Sequence, residues 1–141
     1  MRQETQLPRQ EYTEVDRSDK HIEICGVKWL NGDEIYIILV CVRSPTGDLI
    51  LFYNGIYSVL SSMFTLSVKI ILCGDINLDS YHPSKDFNDF KELLAIFGLE
   101  YRNSWPTSVT NTSLSTIDNI FTNVTTSGTC CVLDNTFSDH R

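Results

Sequence analysis

Residues 69–77, Lys-Ile-Ile-Leu-Cys-Gly-Asp-Ile-Asn, constrain the fold more than any other stretch of the chain. Their apolar run, residues 70–73, has the length of a fully buried strand. Gly74 breaks the run, and Asp75 and Asn77 follow two positions apart, so we expect both side chains on the same side of the strand's end. A carboxylate and an amide at the end of a rigid strand suit a binding or catalytic site. An edge turn that Asp75 merely caps is the alternative interpretation.

Length and composition indicate one globular domain. The chain has 141 residues, of which 42% are hydrophobic, enough for one domain with a real core but short for two. The net charge of −7 argues against a surface that grips nucleic acid by phosphate neutralisation alone. It is compatible with a metal-dependent site, because clustered carboxylates attract cations.

The cysteines and the amino terminus favour an intracellular protein, either nuclear or cytoplasmic. The five cysteines fit no zinc ribbon or finger, and we interpret them as small buried hydrophobic residues in a reducing compartment. The first residues do not resemble a signal peptide. The twenty uncharged residues 49–68 are long enough for a membrane span, but the asparagine, glycine, serines and threonine among them favour a non-membrane helix.

Hydrophobic periodicity predicts strands and helices in mixed order after a disordered leader, residues 1–20. Within the domain, residues 21–141, the predicted strands are 21–29, 34–42, 68–73, 99–102, 116–123 and 129–133, and the predicted helices are 49–64 and 85–97. The apolar composition of residues 34–42 and 116–123 predicts that both strands are covered on both faces. The mixture predicts a layered α/β (α+β) architecture with helices outside mixed or antiparallel sheets.

Local signals set the ends of these elements. Asn31-Gly32 predicts a β-hairpin. Asp48 and Ser84 are placed to cap the two helices, and Gly98 is placed to end the second.

Three short segments carry the residues that phosphodiester hydrolysis requires. They are Gly-Asp-Ile-Asn at 74–77, Ser-Thr-Ile-Asp-Asn-Ile at 115–120 and Ser-Asp-His at 138–140. A carboxylate can orient or deprotonate the attacking water, and amide and imidazole groups can hold phosphate oxygens as charge builds. A divalent cation offsets the charge of the phosphate. Each segment alone is a weak signal, and the set in this order is a specific one.

The three segments together resemble the motifs of the endonuclease/exonuclease/phosphatase (DNase I-like) family, in particular the endonuclease domains of non-LTR retrotransposons. Arg43-Ser-Pro45 is a softer match to that branch. The resemblance implies part of a four-layer α/β sandwich, DNA as partner, Mg²⁺ or Mn²⁺ as cofactor and no small-molecule cofactor. It also implies a role for each matched residue: Asp75 activates the attacking water, Asn77 contacts the phosphate, Asp118 orients His140, His140 stabilises the developing charge and Asp139 lies near the metal.

The sequence departs from the family pattern at its amino-terminal side. Family members carry two earlier strands, the second ending in the glutamate that is the main metal ligand. Here only residues 1–20 stand in that place, and Glu4 and Glu11 have no buried strand in front of them. We therefore expect an incomplete domain with an exposed apolar face and little or no activity. A non-catalytic remnant of the family and an unrelated binding domain are the alternatives to a DNA-nicking endonuclease.

Overall fold

The computed structural model describes residues 15–103 and 105–125. Eight strands and two helices form in this range: β1 Val15–Ser18, β2 Ile22–Asn31, β3 Glu34–Arg43, α1 Leu49–Met63, β4 Val68–Asp75, α2 Lys85–Ala95, β5 Glu100–Tyr101, β6 Ser108–Val109, β7 Leu114–Ser115 and β8 Asp118–Thr122. Six strands form one sheet in the order β1-β2-β3-β4-β8-β5, and β6 and β7 form a separate hairpin. Only β3 and β4 are parallel within the larger sheet, joined by α1 as a crossover.

The helices begin where the sequence predicts. The Asp48 carboxylate accepts a hydrogen bond from the Leu51 amide at 2.9 Å, and the Ser84 hydroxyl accepts one from the Phe87 amide at 3.2 Å. Gly98 follows α2 with φ 70°, the left-handed conformation that ends helices. The two capping predictions and the Gly98 prediction are confirmed, although α2 is shorter than predicted.

The β2–β3 hairpin is also confirmed, with a small shift of its turn. Asn31 and Glu34 are paired, so the two turn residues are Gly32 and Asp33. Gly32 has φ 63°, and glycine adopts this conformation without steric cost.

The core lies between the two helices and one face of the sheet. Aromatic contacts connect the layers, with ring centroids 5.4 Å apart for Phe52–Phe90 and 5.5 Å apart for Phe90–Phe121. Full burial of such a side chain is worth about 1.5–3 kcal/mol relative to exposure. Among the described residues, the other fully buried large side chains are aliphatic: Ile22, Ile24, Leu39, Ile56, Leu60, Ile70, Leu72, Ile76 and Leu94.

The opposite face of the sheet, which we call the open face, carries exposed apolar side chains. Cys25 and Val27 on β2 and Val40 and Val42 on β3 are exposed there, the last two at 43% and 42%. The prediction that residues 34–42 are covered on both faces is therefore wrong, because both described α-helices pack against the other face of the sheet. The expectation of an exposed apolar face is confirmed.

Strand β1 changes the boundary of the predicted leader. Val15–Ser18 pair antiparallel with β2, within the range assigned to the leader. Backbone pairing with a long neighbouring strand orders this segment although it lacks an apolar pattern. The other leader residues described, 19 and 20, lead directly into β2. Residues 1–14 and the predicted strand 129–133 lie outside the described range.

Neither helix among the described residues is long and apolar enough to cross a membrane. Helix α1 is a 15-residue amphipathic helix that ends at Met63. Its buried side chains, including Phe52, Ile56 and Leu60, face the sheet.

Candidate functional site

The end of β4 and the start of β8 bring two predicted site carboxylates together. Asp75 and Asp118 are directly opposite each other in the antiparallel β4–β8 register. The Ile76 amide donates to the Ile117 carbonyl at 3.0 Å, one residue beyond the pair, which identifies Asp75–Asp118 as a non-hydrogen-bonded pair. In such pairs the Cα atoms are about 4.5 Å apart and the side chains project from the same face. Two carboxylates are thereby concentrated at one edge of the open face.

Asn77 lies just past this strand end, in a conformation that turns the chain. Its φ of 49° is left-handed, and its amide N–H donates to Oδ1 of Asp75 at 3.1 Å. Its Nδ2 donates to the Arg43 carbonyl at 2.6 Å. The expected alternation of side chains stops at Asp75, where β4 ends, so the position of Asn77 is set by the turn and by its contact with β3.

Arg43, at the end of β3, holds the turn that follows Asp75 through hydrogen bonds to two of its carbonyl groups. Its guanidinium donates from Nε to the Ile76 carbonyl at 2.7 Å and from Nη2 to the Asn77 carbonyl at 2.8 Å. The side chain is only 7% exposed and lies over the Phe52 ring at 5.9 Å. Burial lowers the pKa of the guanidinium, but an arginine remains protonated at neutral pH. Arg43 therefore fixes the backbone that follows Asp75.

Two buried side chains fix the backbone of Asp118 through hydrogen bonds, as Arg43 fixes the backbone after Asp75. The Thr107 hydroxyl oxygen lies 3.2 Å from the Asp118 amide nitrogen, which donates to it. Nδ2 of Asn103 donates to the Asp118 carbonyl at 3.0 Å. Thr107 and Asn103 are 2% and 3% exposed, so each bond has one buried partner.

The structure places some of the predicted site residues and not others. Asp75, Asn77 and Asp118 lie together at the β4–β8 edge. His140 and Asp139 lie outside the described residues, so their predicted roles stay predictions. Within residues 15–103 and 105–125, no three histidine, cysteine, aspartate or glutamate side chains form a group that could hold a metal ion.

The sequence reasoning did not identify Arg43, Asn103 and Thr107 as residues that shape this site. A charged residue at the end of the apolar strand 34–42 is a signal for Arg43, because buried arginine needs partners. No local signal marks Asn103 or Thr107, whose partner Asp118 lies 15 and 11 positions away in the chain.

No protein-family model matches the chain, and no curated protein is significantly similar to it in sequence. Solved structures are similar in fold. The endonuclease domain of TRAS1, a telomere-specific non-LTR retrotransposon, is 16% identical with a TM-score of 0.59, over 79% of this chain and 54% of that one. TDP2 of D. rerio, complexed with a single-strand DNA product, is 12% identical with a TM-score of 0.59, over 92% of this chain and 64% of that one.

A beta toxin from Staphylococcus aureus is 12% identical with a TM-score of 0.50, over 71% of this chain and 42% of that one. The chain thus spans about half of the length of these structures, between 42% and 64%. At such low identity, the likeness concerns the fold.

Proposed function

The chain has the DNase I-like endonuclease/exonuclease/phosphatase fold, and we propose that its Asp75–Asp118 edge serves metal-dependent phosphodiester hydrolysis in a DNA-nicking endonuclease domain of retrotransposon origin. The observation that carries the proposal is the pairing of these two carboxylates at the end of the buried strand β4. Rigid placement of the reacting groups is one of the main contributions that a protein makes to such a reaction.

The described residues have distinct roles in this proposal. Asp75 orients or deprotonates the attacking water. Asn77 donates to a phosphate oxygen. An amide NH₂ has two donors, and the bond to the Arg43 carbonyl uses one of them. Asp118 orients the imidazole of His140, which stabilises the charge that develops on the phosphate.

The donor set of the edge fits magnesium or manganese. Mg²⁺ prefers oxygen ligands and is commonly held by one or two carboxylates together with water and substrate phosphate oxygens. Asp75 and Asp118 offer such carboxylates, and Asp139 is proposed as a further ligand. When bound, the cation offsets phosphate charge and lowers the pKa of a coordinated water.

DNA is the proposed substrate. The TDP2 structure holds a single-strand DNA product, and the TRAS1 domain is an endonuclease. A net charge of −7 gives this chain little general attraction for a polyanion, so binding should depend on the divalent cation.

A plasmid-nicking assay tests the proposal. Protein in molar excess over supercoiled plasmid allows slow single-turnover cleavage to be detected. We expect weak, slow Mg²⁺-dependent conversion to open circles by the wild-type chain, loss of this activity in Asp75→Ala, and wild-type activity in Asp33→Ala, which changes an exposed turn aspartate. Nicking that persists in Asp75→Ala, or no nicking at all, contradicts the proposal.

A non-catalytic remnant of the same domain is the second candidate. It is favoured by the finding that no metal-binding group of three side chains exists within the part of the chain described above. Binding of a radiolabelled oligonucleotide without cleavage, in the presence of Mg²⁺, would support this candidate over the first.

A further inference from the structure

Asp79 lies in the loop after β4, and its carboxylate joins that loop to the segment that enters β8. Oδ1 accepts hydrogen bonds from the Thr116 amide at 2.7 Å and from the Tyr81 amide at 2.9 Å. Oδ2 lies 3.0 Å from Nδ1 of His82. The bond to Thr116 spans 37 positions of the chain, so it connects two segments that only the fold brings together.

Every polar group of Thr116, where the two segments meet, has a hydrogen-bond partner. Thr116 is completely buried, its carbonyl accepts from the Ser80 amide at 3.0 Å, and its hydroxyl donates to the Trp105 carbonyl at 2.9 Å. The bond to Asp79 satisfies its remaining polar group, the amide. Loss of that acceptor would leave a buried N–H without a partner, which is costly enough to displace the segment.

Both segments that the Asp79–Thr116 hydrogen bond joins lie next to the candidate site. Thr116 precedes Asp118 by two residues, and Asp79 follows Asp75 by four. The Asp75–Asp118 pair is the last pair of the β4–β8 ladder, where strand pairing opens most easily. The hydrogen bond between Asp79 and Thr116 holds the two segments together just beyond this last pair.

We propose that Asp79 is a positioning residue, which acts with Thr107 and Asn103 to set the place of the Asp118 carboxylate relative to Asp75, by holding the Thr116 amide. The catalytic consequence rests on the proposed function, whereas the placement itself rests on the hydrogen bonds. Asp79 acts through the backbone, so an oxygen acceptor at this position is what matters.

Three variants separate this role from other roles of the side chain. Asp79→Ala removes the acceptor, and Asp79→Asn retains an oxygen for the Thr116 amide. His82→Ala is the matched control, since it removes only the outer partner of the carboxylate, a side chain that is 68% exposed.

Amide hydrogen exchange measured by NMR tests the placement. We expect the Thr116 and Asp118 amides to exchange about tenfold faster or more in Asp79→Ala, and at near wild-type rates in His82→Ala. In Asp79→Asn, which keeps the acceptor oxygen but not its charge, the rates should lie much closer to those of wild type than to those of Asp79→Ala. The Leu72 amide, in the middle of β4, is the internal reference and should not change. Unchanged exchange at Thr116 in Asp79→Ala, or equal acceleration at Leu72, would overturn the proposal.

Line broadening by Mn²⁺ at the Asp118 amide tests the consequence for the site. We expect Asp79→Ala to need about tenfold more Mn²⁺ than wild type for the same broadening, and Asp79→Asn to match wild type. Equal affinity in all variants would overturn the link to the site. If the wild-type chain shows neither broadening nor nicking, the proposed function fails, and the exchange experiment still decides the placement.

Discussion

A Cβ atom at Gly74 would lie 1.9 Å from the carbonyl oxygen of Cys41. Gly74 has φ 137°, a conformation that other residues rarely adopt, and it directly precedes Asp75. The close approach of β4 to the backbone of β3 is therefore possible only with glycine. The glycine that ends the apolar run of β4 is a packing requirement of the site.

Replacing Gly74 by alanine should destabilise the fold by about 2–4 kcal/mol, since backbone atoms of β3 must move and the φ angle becomes strained. Urea unfolding followed by circular dichroism measures this loss. Gly32→Ala is the control: φ is also positive there, but a Cβ meets nothing within 4 Å, so about 1 kcal/mol is expected. Equal losses in the two variants would show that the contact with Cys41 is unimportant.

Replacing Arg43 by lysine should cost about 2–4 kcal/mol, because one ammonium group cannot hold the Ile76 and Asn77 carbonyls as the guanidinium does. The free energy of unfolding in urea is the measurement. Arg102→Lys provides the comparison, since that side chain is 41% exposed and pairs with Glu100 at the surface. A change there should stay within about 0.5 kcal/mol. Similar losses at both positions would contradict the role of Arg43 in holding the Ile76 and Asn77 carbonyls.

Added Mg²⁺ should raise the melting temperature of the wild-type chain, because a ligand that binds only the folded state stabilises it. At one hundred times its dissociation constant the gain is about 2.7 kcal/mol. Asp75→Asn and Asp118→Asn should reduce this gain, and Asp33→Asn should not. Thermal melts at constant ionic strength, with NaCl replacing MgCl₂, measure the effect. A gain that survives in Asp75→Asn would place the cation elsewhere.

The helix ends and the central strand could be predicted from the sequence because each depends on residues that are neighbours in the chain. The caps at Asp48 and Ser84 depend on an acceptor three residues before a donor, and Gly98 ends α2 through its own φ. The apolar pattern of residues 70–73 similarly predicted the central strand. Neighbouring residues carry all of this information.

The arrangement around the carboxylates depends on contacts between distant segments, which composition and periodicity do not encode. Arg43 reaches the Ile76 carbonyl across 33 positions, and Asp79 reaches Thr116 across 37. The family resemblance placed Asp75 and Asp118 in one site, but their direct pairing in the β4–β8 register was not predicted. β1 was missed because its order comes from pairing with β2.

Stability should depend on the charge of Asp79 in acid. Burial raises the pKa of this carboxyl, but hydrogen bonds from the Thr116 amide, the His82 ring and nearby amides outweigh burial, and the net pKa is lowered from 3.8. A lowered pKa means that the stabilisation is complete above 3.8 and is lost as pH falls through the folded-state pKa. Asp79→Asn should therefore be less stable than wild type at pH 7, and the difference should shrink toward pH 2. Urea titrations across this range measure it, and a constant difference would contradict the assignment.

Cys41 should be inert as a nucleophile although Cys25, on the neighbouring strand, is exposed. Burial raises the pKa of the Cys41 thiol to about 12, and the nearby charges of Cys73 and Asp75 act in the same direction. Very little of this thiol therefore ionises at pH 8 to the thiolate, which is the reactive form. Iodoacetamide labelling followed by peptide mapping should therefore modify Cys25 in the folded protein and Cys41 only after unfolding in urea. Rapid labelling of Cys41 in the folded protein would mean that the core beneath the end of β3 opens readily, and that the edge lacks the rigidity on which the proposed hydrolysis depends.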